Sequence, residues 1–220
     1  MKPEARRYIL PLFGGHPLPL ALLFCLLLAG PSCQQANEKK ESSPALVAKH
    51  LQEGYERSLS YQRMYTRFVL QAEKERKKGV AALFTALARS EEIRAMNHGK
   101  LLLARGIQPV APIAGDVAVG TVKQMLKMAM SSENIQYYDL YPSALKAALG
   151  EKDTAAMLQF QVADELDARH RELLNDAINQ LDRNPKQEYS VCDRCGYIFA
   201  SAGKAGCPIC QKWRGVFGQV

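Results

Sequence analysis

No apolar run in the 220-residue chain has the length of a membrane span: Leu18–Ala29 offers twelve residues where about 20 are needed. That excludes a multi-span membrane protein. Nor is there a block of like charge. The formal net charge is +7, of which the first 32 residues contribute +2, and the excess is spread along amphipathic segments. A solvated surface accounts for it, and a nucleic-acid partner is not expected. Apolar residues are not scarce: at 47% hydrophobic the chain is too rich in them for wholesale disorder, and its length allows one ordinary domain plus a small one.

Residues 1–33 run from the cationic Lys2, Arg6 and Arg7 through Leu18–Ala29 to small residues and Cys33, which is the layout of an export signal. A short buried helix or an uncleaved anchor is the alternative. Ala5-Arg6-Arg7-Tyr8-Ile9-Leu10 resembles a twin-arginine signal, a route for proteins exported already folded. Cys33 follows Ala29-Gly30-Pro31-Ser32 and precedes a polar linker, 34–44, as the acylated cysteine of a bacterial lipoprotein does, although Gly30 stands where leucine is usual. The expectation is export to a bacterial cell envelope or periplasm, with a lipid anchor at Cys33.

From Pro44 to Asp182, Ala, Leu, Glu, Lys, Arg and Gln dominate and apolar residues return every three or four positions, which predicts amphipathic helices. Four are expected: Ala45 to Lys78, closed by Gly79; Val80 to Ala104; Thr121 to Leu149, kinked at Pro142; and Glu151 to Leu181. The connection after Arg105-Gly106, with Pro109, Pro112, Gly115 and Gly120, is longer than a helical hairpin needs. Two hairpins joined by one long crossover make a ferritin-like four-helix bundle over residues 45–183. Asn184-Pro185 then opens a linker, 184–189.

Residues 190–220 have their own composition, rich in Gly and Cys, and are too few for a core without a staple. Of six cysteines in the chain, Cys192, Cys195, Cys207 and Cys210 fall within 19 residues, as two Cys-x-x-Cys pairs. Such pairs can set four thiolates around one ion from two tight turns, with Gly196 free to take positive φ. Two disulfides are the alternative in an exported protein, and the doubled spacing favours a metal. Tetrahedral sulfur suits iron and zinc alike.

Cys192-Asp193-Arg194-Cys195-Gly196-Tyr197-Ile198 with Cys207-Pro208-Ile209-Cys210 resembles a rubredoxin-type iron site, and its place after a ferritin-like bundle is similar to the rubrerythrin family. Tyr65-Thr66-x-Phe68, Phe84 with Ala88 and Glu91, Tyr141-Pro142, and Phe160 followed by Asp167-x-x-His170 extend the resemblance over about residues 46–220. Rubrerythrins hold two irons in the bundle and reduce hydrogen peroxide with electrons passed through the rubredoxin-like iron. The resemblance implies bundle metal ligands at Glu91, Glu133, Asp167 and His170. It also implies a homodimer in which the cysteine domain of one chain approaches the bundle of the other.

Three matching positions depart from the family's ligand set. Ser58 and Gln136 stand where glutamates belong, and Arg94 where a histidine belongs. Glu56 lies two positions from Ser58, about 200° around the helix, and cannot stand in for it. Two metals carry a charge of at least four, against three carboxylates with a guanidinium among them. Arg94, three residues after Glu91 on one helix face, can replace metal charge. His98, a turn beyond Arg94, can in principle reach inward, with the surface or the bundle end as the favoured alternative; Tyr137, Tyr138 and Tyr141 are expected to pack, and Trp213 to cover the knuckle.

Three functions compete. One is a rubrerythrin-like oxidoreductase passing electrons from a four-cysteine iron to a bundle metal that reduces peroxide. Another is an electron-transfer or sensing protein with a metal-free bundle, and the third a zinc-knuckle envelope protein. The missing ligands make full diiron peroxidase activity doubtful. The electron donor is not readable from the sequence.

Overall fold

The computed structural model describes residues 44–200 and 206–211 and the backbone of 217–219. The export signal, Cys33 and Trp213 lie outside the described residues. Five α-helices precede three short strands: α1 (Pro44–Lys74), α2 (Lys78–Leu103), α3 (Val122–Ile135), α4 (Tyr141–Gly150) and α5 (Thr154–Asn179), then β1 (Ser190–Cys192), β2 (Ile198–Phe199) and β3 (Phe217–Gln219). Together α3, a π-helical turn at Gln136–Leu140 and α4 form the third helix of the bundle. No described helix is long and apolar enough to cross a membrane.

The third helix bends differently from expectation. Pro142 sits in the first turn of α4, where its missing N–H costs nothing, and the irregularity lies just ahead of it. There the Tyr141 N–H bonds to the Gln136 carbonyl, five residues back, so the extra residue of a π turn absorbs the discontinuity. The first helix also ends earlier than expected. Arg76 takes φ +57° and turns the chain, whereas Gly79 lies inside α2. Its lack of a side chain serves the linker, because a Cβ at Gly79 would collide with the Pro185 carbonyl. Asp153 caps α5 through the Ala156 N–H at 3.0 Å, so that helix begins three residues later than expected.

Two apolar cores run through the bundle. One gathers Tyr65, Phe68, Leu83, Phe84, Leu87, Met125, Leu126 and Leu174; the other Val47, Leu51, Leu102, Leu140, Tyr141, Ala148 and Phe160. On each helix the buried polar residues fall between these cores: Ser58 on α1, Glu91 and Arg94 on α2, Glu133 and Gln136 on the third helix, and Asp167 and His170 on α5. Each of these seven side chains is fully buried. Burying so many polar groups is costly unless they pair, so the layer is a site rather than incidental packing.

The strands form an antiparallel sheet in the order β2-β1-β3, with Val191 opposite Ile198 and Gly218. This sheet and the cysteine turns lie on α2 and α5 of the same chain. Three bundle side chains donate to alternate carbonyls of the first turn and β2: Asn97 to Arg194 at 3.0 Å, Ser90 to Gly196 at 2.7 Å and Arg169 to Ile198 at 3.0 Å. The cysteine turn thus rests on its own chain's bundle.

Candidate metal centre and buried charge cluster

Two groups of metal-ligating side chains come together, and they are the two expected from sequence: the four cysteines, and Glu91, Glu133, Asp167 and His170. Within each group the candidate ligand atoms lie within 4.8 Å of one another.

The cysteines arrive on two matching turns. In the first, the Gly196 N–H bonds to the Cys192 carbonyl at 2.8 Å with φ +91° at Gly196. In the second, the Gln211 N–H bonds to the Cys207 carbonyl at 2.9 Å with φ +53° at Gln211. Sulfur atoms of Cys192 and Cys210 lie 3.6 Å apart, and those of Cys195 and Cys207 3.4 Å. Those separations are far beyond a disulfide's 2.05 Å or so and close to the edge of about 3.8 Å implied by 2.3 Å metal–sulfur bonds in a tetrahedron. All four cysteines are free thiols. The bond from the Cys195 thiol pulls Cys192 down to about 5, and that same bond, with burial, pushes Cys195 far up. Four adjoining thiols cannot all ionise unless a cation balances them, and that is the donor set a soft metal takes.

The bundle group is organised around Arg94. Its Nε donates to Glu91 Oε2 at 3.1 Å, its two terminal nitrogens reach Glu91 Oε1 and Asp167 Oδ1, and Glu133 Oε2 lies 4.0 Å away. Antiparallel pairing of α1 and α2 sets His98 against Gly54 and Tyr55 against Gly99, so Ser58, one turn on, stands across from Arg94. His170 Nδ1 faces Glu133 Oε1 at 3.2 Å and Glu91 Oε1 at 3.7 Å. Tyr65 donates to Glu133 Oε1 at 2.5 Å.

Proton positions follow from these partners. The Ser90 hydroxyl has one hydrogen, and at 2.7 Å it goes to the Gly196 carbonyl. Ser90 Oγ therefore accepts from His170 Nε2, 2.9 Å away, which places a proton on that nitrogen. Burial pushes Asp167 well above the usual carboxylate range and raises Glu91 despite Arg94. Glu133, equally buried, is pulled below that range by His170 and Arg94. The raised Asp167 carboxyl thus holds a proton more readily than Glu133, and Arg94 supplies a permanent cation. The cluster can approach neutrality from its own side chains.

This arrangement does not fit a dimetal centre. Arg94 fills the interval between Glu91 and Asp167 that a cation would occupy, and Ser58 and Gln136 add no charge. Ser58 Oγ, both polar atoms of the Gln136 amide, Glu133 Oε2 and Asp167 Oδ2 are buried without a hydrogen-bond partner, so the departed positions retain the polarity of a ligand shell without its connections.

Other expectations are corrected in part. His98 is fully buried, not at the surface; it bonds to the Tyr141 hydroxyl at 3.2 Å and stacks near Tyr141 and Phe160. Burial and then Arg94 push it down to about 3, and it stays apart from the carboxylate group. Arg171 covers the rings of Tyr137 and Tyr138 at 4.5 and 4.9 Å, while Tyr141 lies in the core. Ser90 was missed. A serine inside a helix is unfavourable, and its position directly before Glu91 was the available signal.

No protein-family model matches the chain. Rubrerythrin-1 of Clostridium acetobutylicum is 26% identical over 175 residues, 74% of this chain and 89% of its own. The chain is similar to the rubrerythrins over most of its length. Nigerythrin of Nitratidesulfovibrio vulgaris is 25% identical over 70% of this chain and 76% of its own length. A mixed-valence nigerythrin structure superposes with a TM-score of 0.73 at 22% identity, covering 82% of this chain and 89% of that one. The Desulfovibrio desulfuricans bacterioferritin, solved with its diiron site in different catalytic states, matches at a TM-score of 0.59 and 18% identity over 63% of this chain and 81% of that one. These likenesses establish the ferritin-like bundle, and the four-cysteine turn with the rubrerythrin homologues supports an iron-binding redox protein of the rubrerythrin type.

Proposed function

We propose that the chain is a one-iron electron-transfer protein in which the four-cysteine site carries the redox chemistry and the bundle is a metal-free scaffold. The observation that carries this reading is Arg94 between Glu91 and Asp167, with Glu133 within 4.0 Å. Iron bound by four thiolates supplies a one-electron ferric–ferrous couple. The chain's own part is to hold four sulfurs in place, exclude water from Cys192, Cys195 and Cys207, and balance the buried acids with Arg94.

The relatives' iron chemistry supports iron over zinc. One nigerythrin structure is described as fully reduced, all ferrous. The N-terminal sequence supports export and acylation at Cys33, hence a site of action at a bacterial envelope, and the family resemblance supports a homodimer. Peroxide reduction at the bundle is the competing reading, favoured by the close approach of Glu91, Glu133, Asp167 and His170.

The test is elemental analysis of protein expressed in iron-replete medium, together with its visible spectrum. About one iron per chain, with a sulfur-to-iron band that bleaches on reduction and no rapid peroxide consumption, is the expected result. Two or three irons with rapid peroxide turnover would overturn the metal-free bundle. Stoichiometric zinc without a visible band would overturn the redox role.

A further inference from the structure

Helix α1 starts at the end of the bundle where α2 closes and α4 turns into α5, and that end exposes apolar side chains. Antiparallel pairing of α1 with α2 brings the start of α1 beside the end of α2, and Val47, Leu102, Ala148 and Ala156 share one core there. Arg105 bonds to Asp153, tying the turn after α2 to the turn before α5. On these closing turns Leu103, Ile107 and Leu149 are 53%, 38% and 61% exposed. Around them Lys49, Lys100, Lys146 and Lys152 are exposed and Arg105 is half-buried. Two acids stand against them, the half-buried Glu151 and Asp153, and Asp153 is already paired with Arg105. Glu53, further along α1, pairs with Arg57 at 2.8 Å.

We propose that this end of the bundle docks on an anionic phospholipid bilayer, with Leu103, Ile107 and Leu149 among the headgroups and the lysines against their phosphates. The inference rests on the reading that Cys33 is acylated. Eleven peptide steps separate Cys33 from Pro44, a covalent reach of at most about 40 Å. The 31 residues of α1 span about 45 Å. With the acyl chain in the bilayer the start of α1 stays within that reach, and a bundle standing on its opposite end would put Pro44 beyond it. In sequence the linker is balanced, Lys39 and Lys40 against Glu38 and Glu41, so the cationic attraction lies with the bundle end. A single acyl chain holds a protein only marginally, and a small apolar patch with a cationic rim supplies the second signal that stable anchoring needs.

Lysine acetylation of the full chain on vesicles, read residue by residue by mass spectrometry, tests this. Lys49, Lys146 and Lys152 report the proposed face, and Lys78 and Lys123, exposed at the opposite end, are the references. On phosphatidylcholine vesicles containing about a third phosphatidylglycerol, at about 10 mM salt, the three should react about threefold or more slower than on phosphatidylcholine alone, with the references unchanged. Raising salt to about 150 mM shortens the screening length from about 30 Å to about 8 Å and should remove most of the difference. Leu103→Ser with Leu149→Ser should abolish it while leaving the helical circular dichroism as in wild type. The mass of the peptide containing Cys33 separates the two claims. A peptide without an acyl group overturns the Cys33 reading alone, and the footprint, read with excess vesicles, still decides the docking. Equal rates on the two kinds of vesicle, or slowing at Lys78 and Lys123 instead, overturn the docking face. Protection that persists in detergent without vesicles assigns the patch to a second copy of the chain and overturns it as well.

Discussion

Arg94 and Glu91, three residues apart on α2, meet through two bonds in the middle of the bundle, and the same guanidinium reaches across to Asp167 on α5. A single side chain thereby does for these carboxylates what two metal ions do in a diiron bundle: it separates like charges and joins two helices. The difference is permanence. A metal leaves when chelated, whereas the arginine is part of the chain and charged at every accessible pH.

Removing that cation should therefore be severe. Arg94→Leu leaves Glu91, Glu133 and Asp167 buried without their permanent cation, and the expected loss is about 3–5 kcal/mol at pH 7, read from denaturant midpoints. The unbalanced carboxyls of the variant have folded pKa values above their unfolded ones, so their penalty exists above the unfolded values and is relieved as pH falls. The deficit should be smaller at pH 5 than at pH 8. A loss below about 1 kcal/mol would show that Arg94 does not hold the cluster together.

If the three departures are what emptied the bundle of metal, reversing them should refill it. Ser58→Glu, Arg94→His and Gln136→Glu together restore the family's carboxylates and imidazole to positions that are already buried. Iron per chain in the triple variant should rise from about one to about three. Ser58→Glu alone should not add metal, because its carboxylate would stand across from Arg94 and pair with it. Unchanged iron content in a folded triple variant would mean that the backbone, and not the side chains, has lost the site.

The bundle was legible because apolar periodicity and a long crossover are local signals, and the four cysteines because their spacing is itself the ligand geometry. Glu91, Glu133, Asp167 and His170 were found through the family pattern. The depth of His98 was not legible: a helical wheel places it one turn past Arg94, but only the partner helix, with a glycine at Gly54, makes room for an imidazole inside. Ser90 was hidden for a related reason, since its partner Gly196 is 106 residues away in the chain. The π turn at Gln136–Leu140 has no propensity signal. It follows from fitting Pro142 and the buried Gln136 into one continuous helix.

His98 predicts a pH dependence with a definite sign. Its pKa is about 3 when folded, against 6.5 for an unperturbed imidazole. Above pH 6.5 it is neutral in both states and has no effect. As pH falls from 6.5 towards 3, the unfolded chain takes up a proton that the folded one cannot, and stability drops, by about 5 kcal/mol at the limit. His98→Gln removes this term, so its stability should fall less steeply than wild type between pH 6.5 and 4 by urea denaturation. Parallel curves would mean that His98 is protonated within the fold.

The two cysteine turns make opposite predictions at equivalent positions. Gly196 and Gln211 each follow the second cysteine of a pair, each donates to the carbonyl of the first cysteine, and each has positive φ, +91° and +53°. Gly196 is buried against the bundle, where an added Cβ would lie 3.0 Å from both the Ser90 carbonyl oxygen and Oγ. Gly196→Ala therefore combines left-handed strain with a clash and should cost about 2 kcal/mol or more. Gln211 is exposed and carries the same backbone strain without the contact. Gln211→Gly relieves it and should raise stability by up to about 1 kcal/mol, less the entropy that glycine adds to the unfolded chain. Thermal midpoints of the metal-loaded proteins read both effects. A stabilised Gly196→Ala variant would show that the first turn is not pressed onto Ser90, and a strongly destabilised Gln211→Gly variant would assign the Gln211 side chain a role in holding the second turn.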